Sequence, residues 1–340
     1  MNILEITNCP STLAEGFNSY SPTALKRVFY GRKVNHVLPY NAPEVSEDDA
    51  ELFMENRKRL SISGVQEKVS LVLDKNKLRL ARQEEQGLYI LKPIPKDVMK
   101  VNQVPANEHL TMQIARQVYN IDTAENALIF FQNGDPAYIT KRFDVKEDGS
   151  KLGKEDFASL AGQTTETNGR DFKYDYSYEQ IADLIKEFVP AFRVEMEKFY
   201  ALVLFNYVFG NGDAHLKNFS LLETLQGDYK LSPAYDLINT RIHVNDVAMA
   251  LKDGLFKNSE YTESFNANGF YAYDDFYDFG RRIGLLEARM KKILQSFMTE
   301  KKEVHGLISR SYLNDEMKKD YTAVYLDKLK AINYSYTGMV

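Results

Sequence analysis

From Val194 to Phe209 the chain reads as a helix, and its last ten residues, Tyr200 to Phe209, are apolar on every face except at Asn206. A helix apolar all round has to be buried, so this segment predicts a helical core. It is far short of the ~18 apolar residues that a membrane span requires. Directly after it stands Gly210-Asn211-Gly212-Asp213-Ala214-His215-Leu216-Lys217-Asn218, a polar loop rooted in the interior. Such a loop has its main chain held by the core and its side chains available for chemistry.

Around that core the sequence divides into two halves. Ser21-Pro22 has cap and first-turn chemistry and opens a short helix through about Phe29. Ser46-Glu47-Asp48-Asp49 has the form of a capping box and opens a second helix toward Arg59. Lys68–Leu73 and Leu78–Ala81 flank turn residues and form a hairpin. Gly87–Leu91 is a third strand, ending at Lys92-Pro93. The Pro-containing stretch from Ile94 to Pro105 is a loop with room to move, and Leu110, Ile114 and Val118 give the following segment the spacing of an amphipathic helix. Asn126–Phe131 and Ala137–Phe143 flank Asn133-Gly134-Asp135, a hairpin turn. Lys146 to Tyr178 is polar, with one helical turn around Phe157–Leu160. Ser177–Phe188 is helical, Phe219–Leu222 and Tyr229–Leu231 form a small hairpin, and the chain from about Asp274 is mostly helical. The expected fold class is α/β (α+β) and bilobal: a strand-rich N-terminal lobe, 1–145, and a helical C-terminal lobe, 146–340.

Composition narrows the function. With 340 residues, the chain allows about two domains. Lysine plus arginine number 43 against 48 acidic residues, a net charge of −5, the wrong sign for a protein whose main task is holding nucleic acid. Any link to DNA should run through a partner. Cys9 is the single cysteine, which excludes a disulfide framework and a cysteine-based zinc site and fits a reducing compartment. The first residues have no cationic start followed by an apolar stretch. The expectation is a cytoplasmic protein without a membrane segment.

Phosphoryl transfer asks a protein for a carboxylate that orients a hydroxyl, oxygen ligands for magnesium, and cations against the phosphates. Asp213 and Asn218 are five apart, the spacing of base and metal ligand in the protein-kinase catalytic loop, and a short hairpin then delivers Tyr235-Asp236. Taken singly, each residue has a plainer reading. Asp213 to Asn218 also suits a polar loop with a helix cap, Lys92 a solvated strand end, and His215 a structural histidine. Ser61-Ile62-Ser63-Gly64-Val65-Gln66-Glu67-Lys68, between a helix and a strand, suits either a phosphate-binding loop or an ordinary turn. The order of helix, acidic loop, hairpin and second aspartate favours the joint reading.

These residues, with Leu91-Lys92-Pro93, Lys141-Arg142-Phe143-Asp144 and Tyr235-Asp236-Leu237, resemble the HipA-like serine/threonine kinases of bacterial toxin–antitoxin systems, most closely the short HipT form. The resemblance covers most of the chain and implies a protein-kinase-like fold. It implies Asp213 as catalytic base, Lys217 as a second catalytic residue beside the phosphates, and Asn218 and Asp236 as magnesium ligands. By the same resemblance ATP is met by Ser63, Gly64, Val65, Gln66, Glu67 and Lys68 in the nucleotide loop, by Lys92 at the phosphates, and by His215, Lys217 and Tyr235. Lys141, Arg142 and Phe143 would form the hinge that reads adenine. Glu108 would pair with Lys92 or lie on the surface. Ser61 and Ser63 match the family's autophosphorylated serines, and a phosphate there would add about −1.5 to −2 charges where ATP places its own.

The implied function is an ATP- and magnesium-dependent kinase toxin acting on a host translation protein, with aminoacyl-tRNA synthetases the suggested class. A HipB-like helix-turn-helix antitoxin and a HipS-like small protein are the implied partners. HipS would stand for a small N-terminal domain that longer HipA proteins carry and that this chain is expected to lack. A small-molecule phosphotransferase and a catalytically silent subunit of an antitoxin–DNA complex remain the competing readings.

Overall fold

A computed structural model describes residues 5–41, 68–95 and 98–338. The helix expected from Ser46 and the loop from Ser61 to Glu67 lie outside them. The described residues form two compact units, one taking in the chain up to Ile114 with Ala124–Lys151 and Glu303–Lys318, the other Ala115–Thr123, Leu152–Lys302 and the chain from Lys319.

The first unit is built on an antiparallel sheet of β1 (Val69–Asp74), β2 (Lys77–Leu80), β3 (Tyr89–Lys92), β4 (Asn126–Phe130) and β5 (Pro136–Lys141), in the order β2-β1-β3-β5-β4. Leu71, Leu91, Ala127 and Ile139 are among the residues that bury one face of the sheet in an apolar core with α1 (Pro22–Val28). Helix α1 starts as its sequence requires: the Ser21 hydroxyl accepts from the Ala24 amide and Pro22 stands in the first turn. The Tyr20 hydroxyl donates to the Leu128 carbonyl at 2.6 Å and that of Tyr89 to the Val28 carbonyl at 2.9 Å, so both phenols are buried with partners. Cross-strand register sets Lys92 opposite Tyr138.

Helix α2 (Val104–Gln117) differs from the amphipathic helix expected. Its polar residues Asn107, Glu108, His109, Thr111 and Gln113 are as deeply buried as Leu110 and Ile114. The physical reason lies in their partners. Glu108 pairs with Lys92, His109 Nε2 lies 2.9 Å from the Ser11 carbonyl, Thr111 donates to the Asn107 carbonyl, and Gln113 donates to the Asn126 side chain. A polar side chain can be buried at little cost when its hydrogen bonds are met; among these partners, His109 is satisfied at Nε2 and not at Nδ1. The preceding loop is also shorter than expected, because a 3-10 turn over Val101–Gln103 leads straight into α2.

The second unit centres on α3 (Tyr178–Phe188) and α4 (Phe192–Val208). Ser177 and Gln180 form the capping box that begins α3. Helix α4 is buried around its circumference from Leu202 to Val208, as its composition demands. It packs against α3 and against α6 (Glu287–Met298), which in turn packs on α5 (Tyr273–Arg282). A second antiparallel sheet joins β6 (Lys154–Asp156), β7 (Ser220–Glu223) and β8 (Tyr229–Leu231) in that order. Glu195 of α4, 4% exposed, accepts from the Leu231 amide at 3.1 Å and ties the helix to β8. Among the described residues, no helix is long and apolar enough to cross a membrane.

Candidate active site

The loop after α4 is braced before it carries any chemistry. Asn206, the polar interruption in the buried helix, accepts at its side-chain oxygen from Asn211 Nδ2 at 2.9 Å, and its carbonyl accepts from the Asn211 amide at 2.8 Å. Gly210 turns the chain with φ +65°, and its carbonyl accepts from the Thr240 amide. The Gly212 amide donates to Thr240 Oγ1 at 2.8 Å, and the Tyr178 hydroxyl donates to the Ala214 carbonyl at 2.9 Å. Gly212 is needed for close approach: a Cβ there would stand 2.4 Å from Asp246 Oδ2 and 2.6 Å from the Val247 carbonyl oxygen. Gly212→Ala should therefore lower stability by about 1–3 kcal/mol through overpacking. A fall in the urea midpoint checks this; an unchanged midpoint would mean that Asp246 and Val247 do not pack on Gly212.

On this frame the loop presents Asp213, His215, Lys217 and Asn218. The Asp213 carboxylate is 44% exposed, accepts from the Tyr174 hydroxyl at 2.7 Å and lies 3.9 Å from His215 Nε2. Its carbonyl accepts from Asn218 Nδ2 at 2.7 Å, which fixes the Asn218 side chain and leaves Oδ1 as the acceptor of that amide. His215 is buried. Its loss of solvent, reinforced by the nearby Lys173 ammonium, depresses its pKa to about 3, although Asp236 acts in the opposite direction. The imidazole is thus neutral at physiological pH. Lys217 Nζ lies over the Phe172 ring, 5.8 Å from its centroid.

The small sheet brings the second acidic group to the same loop. Past β8 the Ala234 amide donates to the Asp122 carbonyl at 2.8 Å, and the next residue, Tyr235, donates to the Lys217 carbonyl at 2.9 Å. The Tyr235 hydroxyl also bonds Ser220, and Lys154 Nζ lies over its ring. Asp236 follows with φ +56°, a left-handed conformation that aspartate tolerates better than most side chains. Its carbonyl lies 3.5 Å from Asn211 Nδ2, and its charge acts on His215. The sequence separates Asp213, Asn218 and Asp236; the fold of the second unit gathers them. Among the described residues, no group of three or more His, Cys, Asp or Glu side chains forms a metal cage.

Of the remaining candidates, Lys92 and Glu108 form an ion pair of 2.6 Å with both side chains 3% exposed, and Lys92 also lies 5.3 Å from the Tyr138 ring centroid. Lys92 is therefore not a solvated strand end, and Glu108 is not a surface glutamate. In the proposed hinge, the Lys141 amide donates to the Glu125 carbonyl and the Arg142 amide to the Leu88 carbonyl, so these two N–H groups serve the fold. Lys141 Nζ lies over Tyr30, and Arg142 forks onto Asp144. Lys68 enters β1, and Ser61 to Glu67 lie outside the described residues. Sequence reasoning did not single out Tyr174, Thr240 or Asp246. Each meets the loop from at least 28 residues away, and no motif marks them.

Comparison with known proteins agrees with this architecture. Residues 60–304 match the HipA-like C-terminal domain. A candidate kinase of Haemophilus influenzae is 27% identical over 98% of each chain. The candidate kinase Y4mE of Sinorhizobium fredii is 31% identical, with the match covering 54% of this chain and 43% of that protein. In the same organism Y4dM is 31% identical over 60% of this chain and 51% of its own length, so the match spans about half of these two relatives. Among solved structures, HipA of Shewanella oneidensis, in a complex with HipB and its operator DNA, superposes with a TM-score of 0.58 at 20% identity over 86% of this chain and 72% of that one. The Helicobacter pylori proinflammatory kinase CtkA gives 0.50 at 17% identity over 77% of this chain and 93% of that one. At these identities the two structures speak for a shared kinase-like fold.

Proposed function

The chain belongs to the HipA-like C-terminal domain family, and from that membership we propose that it is an ATP- and magnesium-dependent serine/threonine protein kinase, the toxin of a toxin–antitoxin system. The observation that carries the reading is the gathering of Asp213, Asn218 and Asp236 on one loop system braced by Asn206, Tyr178 and Thr240. In this reading Asp213 orients the acceptor hydroxyl and takes its proton. Lys217 sets positive charge against the phosphates; in the first unit Glu108 pins Lys92, the cation that the family resemblance assigns to phosphate. The family resemblance assigns nucleotide contact to the loop from Ser63 to Lys68 and, in the second unit, to His215 and Tyr235.

Asn218 and Asp236 offer oxygen donors only, which suits magnesium, and the bond from Asn218 Nδ2 leaves its Oδ1 for the ion. Bound there, magnesium would offset charge developing on the transferred phosphoryl group. The hinge reading narrows: adenine would have to meet groups other than the Lys141 and Arg142 amides. The Shewanella complex supports a HipB-like antitoxin as partner. A HipS-like protein, an aminoacyl-tRNA synthetase target, autophosphorylation at Ser61 or Ser63 and a cytoplasmic location follow from the family resemblance and complete the proposal.

The test is incubation of the purified chain with γ-labelled ATP, magnesium and cell lysate. Label on a protein band is expected, lost on adding EDTA and reduced at least 100-fold in Asp236→Asn. Label confined to a small metabolite would establish a different acceptor class, and no transfer at all would leave a binding subunit.

A further inference from the structure

Asp213 already has a hydroxyl on it, and that hydroxyl belongs to this chain. The Tyr174 hydroxyl donates to Asp213 Oδ1 at 2.7 Å, the contact that an acceptor hydroxyl must make if Asp213 is the base. Resting on that reading, we propose that Tyr174 stands in for the acceptor and keeps water off Oδ1, the carboxylate oxygen it bonds, until a protein hydroxyl displaces it.

The phenol is held where it is by more than this bond. Its ring meets His215 edge-on with centroids 5.3 Å apart, and Lys173 Nζ lies 4.9 Å from its centroid. The turn Phe172–Tyr174 is fastened outside the loop, because the Tyr174 carbonyl accepts from the Lys252 amide at 2.8 Å. Burial, with the charge of Asp213, holds the phenol above its usual range, so at neutral pH it remains a protonated donor. The Asp213 side chain is 44% exposed, so solvent and acceptor both reach it, and the phenol occupies Oδ1 rather than the whole carboxylate.

The chemistry avoided is hydrolysis. A water bonded to Asp213 Oδ1 in place of the phenol would attack the γ-phosphorus and pass a proton to the carboxylate. A new P–O bond would form, the bond to the β–γ bridging oxygen would break, and ADP and phosphate would leave. Water competes poorly with a hydroxyl tethered in place. A protein acceptor brings its own docking contacts and exchanges one hydrogen bond to Asp213 for another. Tyr174 is thus a positioning residue that favours docked acceptors over solvent.

The experiment measures phosphate release from ATP and magnesium without protein acceptor, for the parent, Tyr174→Phe and Asp213→Asn. Phenylalanine keeps the ring against His215 and removes only the hydroxyl. Phosphate release should rise about tenfold in Tyr174→Phe and be lost in Asp213→Asn, and the ratio of lysate protein label to phosphate released should fall about tenfold in Tyr174→Phe. Release at or below the parent rate in Tyr174→Phe, with Asp213→Asn silent, would overturn the screening role and leave the kinase reading standing. Undiminished release in Asp213→Asn would overturn both. Tyr174→Leu, which also lacks the hydroxyl, should behave like Tyr174→Phe, and its failure to do so while folded would count equally against the proposal.

Discussion

Asp213→Asn should lower phosphotransfer about 10²–10⁴-fold, the usual contribution of a positioned general base, and leave thermal stability almost unchanged. The two halves of this expectation have separate causes. Main-chain atoms tie residue 213 into the loop: its carbonyl accepts from Asn218 and its amide meets Asn211 Oδ1 at 3.3 Å. Those bonds survive the substitution. The asparagine side chain can still accept from Tyr174, and being partly exposed it leaves no stranded buried charge. What disappears is the ability to take a proton. Initial rates with labelled ATP, beside a melting curve for each protein, check both halves. A variant as active as the parent would remove Asp213 from the mechanism.

Lys92→Met should damage the fold as well as the activity. Lys92 and Glu108 are each almost wholly enclosed, so methionine would leave a carboxylate buried without its counter-charge, at a cost of about 3–5 kcal/mol. Replacing both partners by apolar residues of similar size, Lys92→Met with Glu108→Leu, should recover most of that stability, because well-packed apolar pairs commonly match buried ion pairs. Phosphotransfer should not recover, since the cation proposed for the phosphates is still absent. Urea unfolding of the parent, the single and the double variant separates the two effects. A double variant as active as the parent would show that Lys92 serves only the fold.

Local rules carried much of this structure into the sequence. The Ser21-Pro22 start, the helix from Ser177 and the Asn133-Gly134 turn involve neighbours in the chain, and all appear where their chemistry puts them. The apolar face-to-face composition of α4 foretold its burial. Strand β6 was not legible, because Lys154–Asp156 is short and polar and owes its conformation to pairing with β7, 64 or more residues on. The polar face of α2 misled for a related reason: periodicity reports which side chains are apolar, whereas burial depended on partners supplied by Ser11, Lys92 and Asn126. The site followed the same division. Spacing exposed Asp213, Asn218 and Asp236, whereas Tyr174, Thr240 and Asp246 reach the loop only through tertiary folding.

The enclosed polar side of α2 also governs how the first unit can assemble. A turn of the helix about its axis, or a slip of one residue, would strand a glutamate, a histidine and a glutamine among hydrocarbon, each without its mate. Apolar helices can often settle in several nearly equivalent seats; this one is keyed to a single seat. Its arrival should be cooperative, and chains trapped beforehand should exchange their α2 amides with solvent as one block.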